Sequence, residues 1–399
     1  MGDAARDRFA RQVAIALRVA GGTDIEYDAD EFCLRYTKPG GAGGWIANLH
    51  NLYHEWGSAK QAEQGAEIRR FADALATTPE SLTAWEMVAD RLRPVLNSPQ
   101  LAEYEGIRLL VREFHLFVNE MVVIDHPKQM QYVHVDQPAE WGVSADEVFA
   151  RARENIATRA NWPRPDEKFE RKAILRMPET GSDYWVSHLL VDGWLAAMGE
   201  KIGGRPVAFT PHRSSGLTIV DDDPDTVKAL LEHTEKEYLE SARYVSPLAY
   251  TIDDAGRVVP FAVPRGDPLW NAVHRSETLL ASKEYDAQKA ELDDDFDIDE
   301  DEPDGYVRGY FGGYQVGTRD DGSVFSVSTW GEGVWTLLPK TDFVAVINEA
   351  HDTSVVPFET VVDTIGLVPH PKLYPPRYRT PQWMSDQQLA TLRAQAVEP

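Results

Sequence analysis

The sequence predicts an α+β protein: a helical N-terminal part, then mixed strands and helices, then a smaller strand-rich C-terminal domain. Three observations predict it. Apolar residues recur at helical spacing early in the chain. Strand-forming runs take over near residue 113. An acidic stretch then sets the residues after 304 apart. Strands and helices do not alternate regularly, which argues against a doubly wound sheet or a barrel.

The elements follow in order. Phe9, Val13, Ala16, Leu17 and Ala20 give residues 6–20 an apolar side, and Gly21–Gly22 stop that helix. The stretch 24–37 reads as two short strands around an Asp-rich turn. A helix is expected from Trp45 to about Trp56, then two more over 60–77 and 79–92, the second with Thr78 as N-cap and Pro79 at its first position. Residues 113–124 and 129–135 read as the two strands of a hairpin. Ser144 and Glu147 form a capping box for a helix to about Thr158 that buries Val148, Phe149, Ala152 and Ile156. Next come a short strand and a helix ending at Gly203–Gly204, two strands in "PVAFTP" and "GLTIVD", and a helix capped by Asp223 with Pro224 behind it. Its Val227, Leu230, Leu231 and Tyr238 face inward, and Glu232 can pair with Lys236. Strands are expected over 247–252 and 257–262 around the turn "DDAG". The C-terminal part reads as strands, a helix near 357–365, a proline-rich extended segment and a last helix over about 384–395.

Length and composition bound the reading. A chain of 399 residues with 43% apolar content can build two or three cores. The expected division is an α+β domain over 1–285, with two lobes joined near 95–110, an acidic linker over 286–304 and a domain over 305–399. The formal net charge is −25, and ten of those charges come from Glu291–Asp304. An acidic surface repels phosphate backbones and anionic lipid, so neither nucleic acid nor membrane is expected as a partner. Cys33 is the single cysteine, which excludes an intramolecular disulfide and a thiolate metal cluster. The N-terminus is charged where a signal peptide is apolar, and no run of about 18 apolar residues occurs, so the expected location is cytoplasmic.

The acidic tract fails as a calcium loop in each register. Counting from Asp293, Asp295 or Asp297, the sixth position is Ile298, Glu300 or Glu302 where the loop needs Gly, and the twelfth is Asp304, Tyr306 or Arg308 where it needs Glu. A solvated tether is the simpler reading. His50 and His54 lie four apart on an expected helix and can face one metal, but no third ligand follows by spacing, and two partly exposed histidines are the simpler reading. "GGAGG" at 40–44 lacks the Lys-Ser/Thr of a phosphate loop. "TPHRSSGL", with His212, Arg213, Ser214 and Ser215, lacks the glycines of a nucleophile elbow and reads as a polar turn. "PPRY" at 375–378 matches a short WW-domain ligand, against which an arm packed on its own domain is the simpler account. No cofactor is called for.

The segments "VHVDQPAEWGVSADEVFARARENIA" (133–157) and "SHLLVDGWLAAMGEKIGGRPVAFTPHRSSGLTIVDDD" (187–223) resemble the bacterial YtpQ-like family, a domain of unknown function. Asn155 falls at the "N" of its "A-x-x-N" pattern, Ser187, Leu189 and Leu190 at "S-x-LL", and Pro211 and Arg213 at "P-x-R". The match covers about 100–265. It implies an α+β cytoplasmic domain and supplies no catalytic residue; His212 and Arg213 are surface-polar candidates through it. Two functions are therefore expected in order. The first is a non-catalytic protein-interaction or regulatory factor with a protein partner. The alternative is an enzyme of an unrecognised class, for example a hydrolase, with a site drawn from His134, Asp136, His188 and His212, which only folding can bring together.

Overall fold

The computed structural model describes residues 4–29, 32–41, 45–49, 52–53, 56–57, 61–77, 84–104, 107–126, 130–158, 169–170, 172–177, 184–212, 216–241, 244–292, 310–371 and 373–398. The fold is α+β. The N-terminal part has its own core. Helix α1 (Ala4–Val19) buries Phe9, Ala10, Val13 and Leu17 against the antiparallel sheet β1 (Thr23–Asp28), β2 (Cys33–Thr37) and β3 (Trp45–Asn48), with α2 (Gln61–Ala76) closing it through Ile68 and Ala72. The expected helix from Trp45 is corrected. Trp45–Asn48 pairs with β2, Tyr36 opposite Trp45 and Leu34 opposite Ala47. Ala47 and Leu34 share the buried face, so period two wins over the helical reading.

Helix α3 (Trp85–Val88) is only four residues, followed by a 3₁₀ turn over Ala89–Arg91 and strand β4 (Leu92–Asn97). This corrects the helix expected to 92. Val88 and Leu92 do bury in one cluster beside Trp85, but Pro94 biases Arg93 to extended backbone and Leu92 pairs opposite Ile124 in the sheet. On β4, an edge strand, the proline is tolerated. Two short strands, β5 (Glu103–Tyr104) and β6 (Ile107–Arg108), pair with each other. The expected single strand 113–124 is folded in two: β7 (Val111–His115) and β8 (Val118–Asp125) form a hairpin, and β9 (Met130–Tyr132) pairs with the end of β8. The turn runs through Phe117 at φ 66°. That backbone is strained for a bulky residue, and burial of the ring, edge-on to Tyr285 at 5.5 Å, holds it there. After α4 (Gln137–Glu140), α5 (Ala145–Ala157) starts with the expected Ser144–Glu147 capping box and buries the four expected residues.

A five-stranded antiparallel sheet follows, in the order β10 (Leu175–Met177), β12 (Leu217–Val220), β11 (Val207–Phe209), β13 (Ala249–Ile252) and β14 (Val258–Pro260). The short strand expected in "DYWVSH" is instead a buried 3₁₀ helix over Trp185–Leu190 that leads to α6 (Trp194–Ile202). Helix α7 (Pro224–Glu240) has the expected Asp223 cap, which accepts from Thr226 N, and the expected buried side. Helix α8 (Trp270–Leu292) has no counterpart in the sequence reading. It is 23 residues long, and Ser276, Thr278, Glu284 and Gln288 lie on its buried side.

Two sheets make up the last part. One is β15 (Tyr310–Phe311), β18 (Thr336–Pro339) and β21 (Arg377–Arg379). The other is β16 (Gln315–Thr318), β17 (Val324–Gly331), β19 (Phe343–Ile347) and β20 (Thr353–Pro357). Helices α9 (Phe358–Ile365) and α10 (Asp386–Ala394) stand where expected, the second with its own capping box from Ser385 and Gln388. The interval 286–304 expected as a linker begins inside α8, which continues to Leu292. Residues 293–304, and with them the calcium-loop question, lie outside the described residues, as do Thr78 and Pro79.

Candidate functional site

The four residues expected for a hydrolytic site make separate sets of contacts. His134 is half-buried and bridges Leu109 in the sheet; its backbone N donates to Gln137 Oε1 at 2.8 Å. Asp136 is exposed at the start of α4 and does not cap it with its side chain. His188 is 1% exposed, with Nδ1 3.1 Å from Tyr184 O and its ring between Trp185 and Trp194 at 4.9 and 5.0 Å. His212 bridges Tyr244, and burial holds its pKa below the usual histidine value. No hydrogen bond or ion pair among the described residues joins any two of the four. His50, His54, Arg213, Ser214 and Ser215 lie outside the described residues. Among the described residues, no group of three His, Cys, Asp or Glu is placed to hold a metal ion.

The deeply buried charges are elsewhere. Glu120 on β8, fully buried, accepts from Arg112 Nε and Nη2 at 3.0 and 2.8 Å and from Arg153 Nε and Nη2 at 2.8 and 2.6 Å. The Arg112 guanidinium also lies 4.3 Å from the Phe149 ring centre. Glu284 on α8 accepts from Ser98 Oγ with both oxygens, at 2.9 and 2.8 Å. Arg377, 0% exposed, belongs to the "PPRY" segment. Its Nε donates to Gln288 Oε1 (2.6 Å), Nη1 to Gly312 O and Leu337 O (2.7 and 3.1 Å), and Nη2 to Tyr285 O (3.1 Å). Tyr285 and Gln288 also donate to Pro376 O and Pro375 O, both at 2.8 Å. The segment is thus the packed arm, and it is held by α8; it does not offer a free ligand to a WW-type groove.

His274 on α8 meets the C-terminal sheets at Asp342, 3.2 Å from Nε2 to Oδ2. The same Oδ2 accepts from Ser326 N and Oγ at 2.7 and 2.8 Å. The serine bonds the carboxylate and not the imidazole, so this is no nucleophilic triad. Burial pushes the His274 pKa down, but the hydrogen bonds and charges of Asp342 and Glu277 outweigh it and raise it to about 9. Asp342, despite burial, is held below the usual carboxylate value by the same contact. The histidine contribution is full below its unfolded pKa of about 6.5 and is lost as pH rises through the folded value. The aspartate contribution is full above its unfolded pKa of about 4. We expect a stability plateau between about pH 4 and 6.5, then a loss of at most about 3 kcal/mol toward pH 9 to 10. Urea midpoints at pH 6, 7.5 and 9 check this. Asp342→Asn is expected to flatten the alkaline limb, and a wild-type profile flat across it would contradict the assignment.

An open cleft of about 590 Å³ lies between α5 and the 3₁₀ turn before β4, lined by Asp90, Arg93, Arg151, Glu154, Asn155, Ala157 and Thr158. Its polar groups already serve the protein. Arg93 Nη1 donates to Asp90 O and Leu92 O at 2.9 and 2.7 Å, and its Nε is 3.8 Å from Asp125. Asn155 Nδ2 donates to Ala89 O and Leu92 O at 2.7 and 3.0 Å, and Arg151 pairs with Asp90 and Glu154. Two arginines face two carboxylates, so the lining is neutral and contains no strong nucleophile.

Two further features escaped the sequence reading. The buried charges sit among strand- and helix-formers and carry no motif. The outer side of α1, opposite the apolar stripe, exposes Arg8, Arg11, Ile15, Arg18 and Val19. Its signal was present in the sequence as the complement of the Phe9–Val13–Leu17 stripe. No protein-family model matches the chain, and no curated protein or solved structure matches it.

Proposed function

We propose that the protein is a non-catalytic, cytoplasmic protein-interaction or regulatory factor. The observation that carries this reading is the use of four ionisable groups that are buried or half-buried. Glu120, Glu284, Asp342 and Arg377 each bond between elements distant in sequence, and so act as fasteners of the fold. A catalytic group has to keep a lone pair or a proton directed at an accessible space. No described helix is long and apolar enough to cross a membrane.

The resemblance to the YtpQ-like family belongs to the same proposal. The residues at its motif positions have packing roles: the Asn155 amide ties Ala89 and Leu92, Ser187 Oγ donates to Pro94 O, and Leu189, Leu190 and Pro211 are buried. Those roles fit a shared architecture better than a shared active site.

The test is thermal denaturation against divalent metals, nucleotides and common metabolites. A compound at 100 times its Kd adds about 2.7 kcal/mol, several degrees in Tm for one cooperative unit. We expect no reproducible rise of the midpoint with any compound of the panel. A reproducible rise of several degrees with one compound would overturn the proposal and name the ligand.

A further inference from the structure

The outer face of α1 is the place where charge and exposure are out of keeping with the rest of the chain. From Ala4 to Val19 the helix carries Arg6, Arg8, Arg11 and Arg18 against Asp7, four positive charges less one, in a chain whose net charge is −25. Asp7 is turned to the sheet, where its Oδ1 accepts from Tyr27 Oη at 3.1 Å. Successive residues turn by 3.6 per revolution, so positions 8, 11, 12, 15, 18 and 19 share one side. That side holds Arg8, Arg11, Gln12, Ile15, Arg18 and Val19, all exposed, with Ile15 at 59% and Val19 at 85%. Among the described residues, Arg8, Arg11 and Arg18 have no ion-pair partner.

Helix stability accounts for Arg18, which lies in the last turn where a positive charge is favoured, but not for the other residues of the stripe. Arg6 and Arg8 lie near the helix N-terminus, where a positive charge opposes the macrodipole. Ile15 and Val19, one turn apart, leave apolar surface in water between the arginines. From Arg8 to Arg18 the stripe is about 15 Å long, close to three turns.

We propose that this face docks an acidic, amphipathic helical segment of a partner polypeptide. The proposal rests on the interaction-factor reading and names the chemistry of its partner. Carboxylates answer the three arginines, and apolar side chains at i, i+3, i+4 spacing answer Ile15 and Val19. A nucleic-acid backbone supplies the charge but no apolar anchor, and both it and an anionic bilayer present an extended negative surface to the rest of a −25 chain, whereas a short segment can meet this face alone. A second copy brings the same overall repulsion.

The test uses the full chain and a fluorescent synthetic peptide with a leucine stripe flanked by glutamates, read by anisotropy at low and physiological salt. Its controls are the same peptide with glutamine for glutamate, anionic vesicles and duplex DNA. We expect the glutamate peptide to bind in a salt-sensitive manner. The Arg8→Glu/Arg11→Glu/Arg18→Glu protein should bind it at least about tenfold more weakly. Ile15→Ser/Val19→Ser should weaken it with less change in salt dependence. Arg257→Glu, in an exposed turn, should leave it unchanged. The substituted residues are exposed, so unchanged Tm values confirm that the variants are folded. Equal binding of the glutamine peptide, no binding of the glutamate peptide, or an affinity untouched by the triple reversal overturns the proposal. So does arginine-dependent binding of vesicles or DNA in place of the peptide, or arginine-dependent self-association. None of these outcomes bears on the ligand panel above, so failure of the partner chemistry and failure of the interaction reading are separable.

Discussion

Replacing Arg377 with alanine is expected to destabilise the protein by about 4 kcal/mol, the scale of a buried charged group removed from a satisfied network. The side chain is fully buried and, among the described residues, donates to three backbone carbonyls and one side-chain amide, with Tyr285 and Phe311 rings 5.2 and 5.4 Å from its guanidinium. Truncation opens a cavity and leaves Gly312 O and Leu337 O without that donor, each unsatisfied buried carbonyl costing about 1–3 kcal/mol. Lysine keeps the charge but has no planar fork, and it cannot reach four acceptors on three elements, so Arg377→Lys should recover less than half of the loss. Urea denaturation followed by tryptophan fluorescence measures both, since Trp330, Trp335 and Trp383 all lie in the C-terminal part. If 375–378 served as an exposed peptide ligand, alanine would change stability by no more than about 0.5 kcal/mol, the usual range for surface substitutions. That result would remove the packed-arm account.

The sequence was legible where the signal is local. Ser144 with Glu147 and Asp223 with Pro224 each place a helix start by chemistry within four residues, and the buried faces of both helices follow from spacing. It was illegible where the partner is distant. Helix α8 hides because Ser276, Thr278, Glu284 and Gln288 interrupt its apolar stripe. At least Glu284 and Gln288 are inside because Ser98, Pro375 and Arg377, about 90 or more residues away, satisfy them. Phe117 hides the hairpin turn because no Gly, Asn or Asp marks it; a tertiary contact with Tyr285 stabilises a backbone that the local sequence disfavours. The candidate site suffered from the same limit. A histidine or carboxylate stands out by its type, yet its role depends on what surrounds it. His188 is enclosed by two tryptophans, while Glu120, Asp342 and Arg377 drew no notice as chemical residues and hold the fold together.

Glu120 allows that account to be tested from the opposite direction. It lies on the same face of β8 as Val122 and Ile124, directly across from Arg112 and below Arg153 on α5. Glu120→Gln keeps the volume and two acceptor or donor groups but removes the countercharge that the two guanidinium groups share, leaving Arg153, among the described residues, only the more distant Asp192. Arg112 and Arg153 are 38% and 32% exposed, so each can turn toward water, and the expected cost is about 2 kcal/mol, below the 3–5 of a fully buried pair. Replacing all three together removes the charges along with their desolvation cost, so Glu120→Leu/Arg112→Met/Arg153→Met should lie within about 1 kcal/mol of wild type, or be more stable. The contrast is the informative result, because a fastener is costly to break and cheap to replace. Urea midpoints of the single and triple variants measure it. A triple variant much less stable than Glu120→Gln would mean that the arginines act beyond packing, and would return this charge cluster to consideration as a site.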